Sequence, residues 1–207
     1  MVEQMTPTQN PRRKMQKKIA GLILVLALSF LWGCSSHSLT KSFLREDVNI
    51  GYIQTIAVLP FENLGPGGPA TAQRIREITI TQVLVSGLFD VVDRGRVDSM
   101  LREEAIDPGA AAAIDNLTLK RLGQRLGVQA FLLGSVEQVS DARTGTAVYP
   151  ETTITLRLVD IEAGNVLWQA TGRGSGYSLL DRMFGVAPKD SFRVTLDLIT
   201  RMLNTIR

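Results

Sequence analysis

The sequence of 207 residues holds a single cysteine, Cys34, and a single histidine, His37. One thiol cannot form an intramolecular disulfide, so a disulfide-stapled scaffold is excluded. The same scarcity removes a Cys/His zinc set and a Cys–His catalytic pair. A basic body is missing as well. The formal charge is +3, but residues 1–33 carry five of the 23 bases and one of the 20 acids, leaving 18 bases against 19 acids. A nucleic-acid partner requires a basic face on the domain itself, and the charge balance supports none. There is no internal repeat at solenoid spacing. The Gly-rich stretch Glu62–Pro69 has no lysine after Gly67-Gly68 and no G-x-G-x-x-G spacing. It reads as a surface crossover loop, not a phosphate cradle.

Long apolar runs are also few. The greasiest, Ile19 to Trp32, is fourteen residues interrupted by Gly21 and Ser29, whereas a spanning helix needs about 20. Arg12, Arg13, Lys14, Lys17 and Lys18 precede it. That order fits the n-region and h-region of a secretory signal, and a start at Met15 would make it compact. Leu31-Trp32-Gly33-Cys34 then resembles the lipobox of bacterial lipoproteins, with Trp32 the position that departs from the pattern. The resemblance implies cleavage after Gly33 and diacylglyceryl and acyl modification of Cys34. Several acyl chains satisfy the need for more than one lipid signal in stable anchoring. Ser35 in place of Asp after the cysteine implies sorting to the outer membrane of a Gram-negative-type cell, facing the periplasm, in preference to the inner membrane. SSHSLTKS (Ser35 to Ser42) is small and polar, as a flexible tether should be. The expected division is a signal peptide over 1–33, a lipidated N-terminus and tether over 34–50, and a folded domain over 51–207.

In the body, Gln54 to Phe61 reads as a strand covered on both faces and ended by Pro60. Thr71 to Leu88 reads as a helix with Ile75, Ile78, Val85 and Leu88 inward, stopped by Gly87. A short strand over Phe89–Arg94 and a helix over Arg96–Glu104 follow, then a small-residue connector over Ala105–Ala113. A helix capped by Asp115 carries Leu119, Leu122 and Leu126 and ends at Gly127. Its Lys120, Arg121 and Arg125 read as a solvated face. Strands are expected over Gln129–Val139, Thr152–Asp160 and Val166–Gly172; in the second, Ile154, Leu156 and Leu158 alternate with Thr153, Thr155 and Arg157. The last helix, Ser191 to Ile206, has Phe192, Leu196, Ile199, Leu203 and Ile206 on one face, broadened by Val194, Leu198 and Met202. The segment 174–185 reads either as a flap over the sheet or as an exposed partner-binding patch. The order β-α-β-α-α-β-β-β-α predicts a single-domain α/β sandwich whose mixed sheet is flanked by helices.

IAVLPFENLG, LVSGLFDVVDRGRVDSMLREE, LGQRLGVQAFLLGSVEQV and TITLRLVDIEAGNVLWQATG resemble, in that order, the curli-secretion-channel (CsgG-like) superfamily. That group includes the lipoprotein activators of penicillin-binding proteins (LpoB-like). The resemblance implies a lipid-anchored periplasmic domain without catalytic residues that acts by assembling or by binding other proteins. Channel members insert long hairpins, each strand spanning about 9–11 residues. Here Val139 and Thr152 are separated by the twelve residues SDARTGTAVYPE, so a non-channel member is expected.

Two functions follow. The first is an envelope-assembly or accessory protein acting through protein contacts, for example in peptidoglycan-synthase activation or secretion support. The alternative is an oligomeric secretion-channel subunit. An enzyme is not expected: Asp93, Asp98, Glu103 and Glu104 are available acids, but nothing pairs them with a nucleophile or ligand set. No catalytic, cofactor-binding or metal-ligating residue is assigned. The expected contacts are the membrane, through lipid on Cys34, and an envelope protein; self-association into a homo-oligomer stays open, and nucleic acid is not a partner. Cys34→Ala is expected to abolish lipid labelling and release the protein from the membrane fraction, and continued palmitate incorporation would defeat the assignment.

Overall fold

The computed structural model describes residues 39–47, 49–177, 179–184 and 186–206. Cys34, Gly33 and the signal segment lie outside them. The elements are strands β1 (Thr40–Leu44), β2 (Thr55–Val58), β3 (Glu62–Asn63), β4 (Asp90–Val91), β5 (Ala130–Thr144), β6 (Ala147–Asp160) and β7 (Val166–Ser175). The helices are α1 (Gly68–Ser86), α2 (Arg94–Glu103), α3 (Asn116–Leu126), α4 (Leu179–Phe184) and α5 (Ser191–Leu203). They form one seven-stranded mixed sheet in the order β1-β7-β6-β5-β2-β4, with β3 also on β5. β2 is parallel to both β4 and β5, whereas β5, β6, β7 and β1 are joined antiparallel.

The apolar run of β2 is explained by cover on both faces. Ile56 and Val58 join Leu132, Leu156, Trp168, Leu198 and Met202 in one core beneath α1 and α5. Ala57 and Leu59 join Phe131, Leu133, Leu101 and Leu122 in a second core beneath α2 and α3. β6 and β7 are covered on one side: Ile154, Leu156, Leu158, Trp168 and Ala170 are buried, while Thr153, Thr155, Arg157, Gln169 and Thr171 are half-buried on the other. Trp168 Nε1 donates to Thr205 Oγ1 at 2.9 Å, so the largest buried ring also satisfies its polar atom.

Local chemistry sets the helix ends. Asp93, Asp115 and Asp190 cap α2, α3 and α5 by accepting from the backbone N–H of Arg96, Thr118 and Arg193. Those bonds hold the exposed Asp115 carboxyl below the usual carboxylate range. Gly87 and Gly127 end α1 and α3 in the left-handed region, at φ 62° and 74°. Asp160 closes the β6–β7 turn by accepting from the N–H of Glu162 and Ala163 and from the Tyr52 hydroxyl.

Several expectations change. Thr40–Leu44 falls within the stretch expected to be tether, yet it forms the edge strand β1 against β7. Its side chains give little signal because three of its five positions are exposed and backbone pairing holds it. The interval between Val139 and Thr152 is not a loop: β5 and β6 stay paired through it to Thr144–Ala147. Leu84 and Val85 of α1 are exposed, and Arg76 and Thr79 are buried in the positions that the apolar stripe would assign elsewhere. On α5 the inward face is Val194, Leu198, Ile199, Met202 and, as expected, Leu203, but Phe192 is exposed. Of segment 174–185, β7 takes the first residues and α4 the last.

Gly123 of α3 packs tightly against Ile161, just beyond β6. A Cβ there would fall 2.6 Å from Ile161 Cγ2 and 3.0 Å from Ile161 Cβ. In an exposed helix Gly→Ala gains about 1 kcal/mol. At Gly123 it is expected instead to cost roughly 1–3 kcal/mol through overpacking, read as a lower urea midpoint at unchanged slope; a raised midpoint contradicts this packing.

Candidate functional site

The connection after β2 places α1 over one face and returns the chain to β4; α2 and α3 then cross the opposite face to β5. Crossovers that leave a central parallel strand on opposite faces open a crevice at its carboxyl end, the usual ligand position of open α/β sheets. A cleft of about 530 Å³ occupies that place. Phe61, Glu62 and Asn63 from the β2–β3 bend, Gln73 and Arg76 of α1, and Asp98 and Arg102 of α2 line it.

Arg76 forms the floor. Its Nε and Nη2 donate to the Val58 carbonyl at 3.2 and 2.7 Å, and its Nη1 donates to Asp98 Oδ1 at 2.7 Å. The carbonyl needs this partner because β4 stops at Val91, with Val92 N–H on Ile56 O the last bond on that side. Burial pulls the guanidinium pKa below its usual value, and the hydrogen bond and charge of Asp98 oppose the shift. Periodicity offered no sign of this arginine; a cation beside the inward Ile75 was the nearest hint.

Each acid considered for catalysis has a structural task. Asp93 caps α2, and Asp98 neutralises Arg76 and also faces Arg94. Glu103 and Glu104 hold Arg125, and Glu104 also holds Arg121. Lys120 pairs with Glu162. The three bases on α3 are therefore a solvated, ion-paired face, as the sequence suggests. The Gly-rich loop reaches α1 through Gly67 without a side-chain cap, and Pro69 contributes no N–H to its first turn. Among the described residues, no group of three or more His, Cys, Asp or Glu is placed to hold a metal ion, and no helix is long and apolar enough to cross a membrane.

The fold and the cleft define a mixed-sheet α/β domain in which the candidate acids are committed to capping and ion pairs. The LpoB family model, described as peptidoglycan-synthase activator LpoB, matches residues 27–173, and the chain belongs to that family. No curated protein matches it. Among solved structures, the PelC dodecamer from Paraburkholderia phytofirmans is similar at 18% identity and TM-score 0.55, over 82% of this chain and 96% of that one. Lipoprotein GNA1162 from Neisseria meningitidis is similar at 18% identity and TM-score 0.55, over 74% and 97%. At these identities the likeness extends to the fold alone.

Removing Asp98 leaves a buried cation without its counter-charge. Asp98→Ala is expected to destabilise the domain by roughly 1–3 kcal/mol. Glu103→Ala breaks an exposed pair and should change stability by less than about 0.5 kcal/mol. Equal denaturation midpoints for the two variants would remove Arg76 from its role.

Proposed function

We propose that this chain is a lipid-anchored periplasmic accessory protein that acts by binding an envelope protein, with a peptidoglycan synthase as the client. The family match carries the reading: it runs from residue 27 to 173 and so takes in both Cys34 and the sheet. The charge pattern supports action by contact, because the acids best placed for chemistry are already engaged by arginines or backbone N–H groups. In this proposal residues 1–33 are a signal peptide cleaved after Gly33, Cys34 carries the lipid, and the anchor lies in the outer membrane. The tether is shorter than the 34–50 interval, since β1 begins at Thr40.

The secretion-channel alternative, and with it the closer kinship to curli channels, draws no comparable support. The β5–β6 hairpin continues past the last β7 pair, Glu151–Ser175, by four residue pairs, from Asp141–Pro150 to Thr144–Ala147. A spanning strand takes about 9–11 residues.

Chemical crosslinking in intact envelopes, followed by pull-down of the tagged chain, tests the proposal. Recovery of a peptidoglycan synthase, with synthase activity rising when purified chain is added, is expected; the same crosslinks report any homo-oligomer. Recovery of no envelope protein, together with substrate turnover by the purified chain alone, would replace this reading with an enzymatic one.

A further inference from the structure

One end of the sheet gathers features that the client-binding reading leaves unused. β1 enters there: Arg173 N–H donates to the Leu39 carbonyl at 2.9 Å. Three residues later, Gly176 N–H donates to Pro150 O of the hairpin, and Lys189 N–H donates back to Gly176 O, both at 2.8 Å. Residues 177–188 are therefore an excursion whose two ends meet at Gly176. A Cβ on Gly176 would lie 2.8 Å from both Lys189 O and Pro150 Cδ, so the meeting is tight. The excursion carries α4, and Tyr177 rests against Tyr149 of the hairpin with ring centroids 5.6 Å apart.

Large apolar side chains concentrate at this end. Met183 and Phe184 are 77% and 75% exposed, Leu39 is 66% and Phe192 57%, with Val186 and Val148 about half exposed. They come from the residue before β1, the hairpin, the excursion and the first turn of α5. A soluble surface tolerates such residues singly, but a cluster of them marks a contact site. Arg173 pairs with Glu151 and Lys189 with Asp197, while exposed Arg143 stands opposite Val148 and exposed Arg193 follows Phe192. Apolar side chains bordered by basic ones are what this end offers.

Chain length identifies the occupant. Thr40 is the sixth residue after Cys34, and at most about 3.6 Å per residue lets the start of β1 stand no more than about 22 Å from the lipidated cysteine. The end of the domain that bears the apolar cluster is the end at which this short tether arrives. A bilayer surface is thus held permanently at high effective concentration beside it. Resting on the lipid anchor proposed above, we infer that the apolar end, centred on Met183 and Phe184, docks into the interfacial zone of the membrane that holds the Cys34 lipid. The docked chain adds the α4 excursion to an anchor that the acyl chains already make stable, and the second contact fixes how the domain is oriented. It presents the opposite end of the sheet and its helical layers to the periplasm.

The test uses the full chain, processed and purified from membranes, in vesicles of zwitterionic phospholipid with brominated acyl chains. Trp168 is fully buried, so the wild-type protein supplies an unquenched background. Phe184→Trp, at an exposed position, is expected to emit at shorter wavelength and to lose most of its added fluorescence to the brominated lipid. Phe184→Trp emission at the water-exposed wavelength, without quenching, overturns docking. A blue shift that depends on protein concentration and is insensitive to bromine overturns it too, by assigning the end to a second copy or another protein. Mass analysis of the N-terminal peptide separates the two proposals. A lipidated Cys34 with unquenched Phe184→Trp removes only the docking; an unmodified Cys34 removes the anchor and the docking with it.

Discussion

β2 pairs in parallel with β5 through Ile56–Ala130, Ala57–Phe131 and Val58–Leu132, and all six side chains are sealed from water on one face or the other. Full burial of a Val, Leu, Ile or Phe side chain is worth about 1.5–3 kcal/mol, and this short ladder contributes side chains to both cores at once. Burial on both faces also dictates connectivity. Helices must cover each side, so α1 leaves toward one face and α2 with α3 toward the other. The crevice at the end of β2 is a consequence of that divergence, not a separate feature.

The crevice brings a polar problem that Arg76 resolves. Ending β4 at Val91 leaves the Val58 carbonyl inside the protein without a ladder partner, and an unpaired buried acceptor costs about 1–3 kcal/mol. A lysine would reach the oxygen as a single point donor. The guanidinium fork spans the carbonyl and Asp98 together, which is the geometry that arginine provides. The same commitment of charge to framework holds elsewhere: the carboxylates of Asp93, Asp115 and Asp190 are taken up by helix N-termini.

The strand and helix order of the central body, the caps at Asp115 and Gly127, and the inward row of β6 were legible in the sequence because each rests on local chemistry or on period. What escaped depends on partners distant in the chain. β1 has no apolar alternation, and only the edge of β7 makes it a strand. The interval between Val139 and Thr152 reads as a gap between strands because its residues are mostly polar, yet backbone pairing, the buried Tyr149 and its contact with Tyr177 hold it as a hairpin. On α1, Val85 counts as inward by spacing, yet the buried face is made by Ile75, Arg76, Ile78, Thr79 and Val83, and Val85 is exposed. Arg76 was invisible for the reason that makes it interesting, since its partner is a carbonyl whose vacancy arises from the early end of another strand. Cys34 stands apart as a reading from sequence context, outside the described residues.

Both edges of the sheet close on short strands, β1 with five residues and β4 with two. Short edges and a lysine such as Lys41 oppose strand-to-strand addition. α1 and α5 close one face. Over β6 and β7 the other face stays open, where Thr155 Oγ1 and Thr171 Oγ1 lie 2.9 Å apart and Thr155 donates to Glu137. Arg157 and Gln169 stand opposite each other one step along the same face, with Phe43 of β1 next in the row. Hydroxyls, a guanidinium and an amide on a rigid antiparallel scaffold suit reversible protein contact, which trades hydrogen bonds with water for hydrogen bonds with a partner.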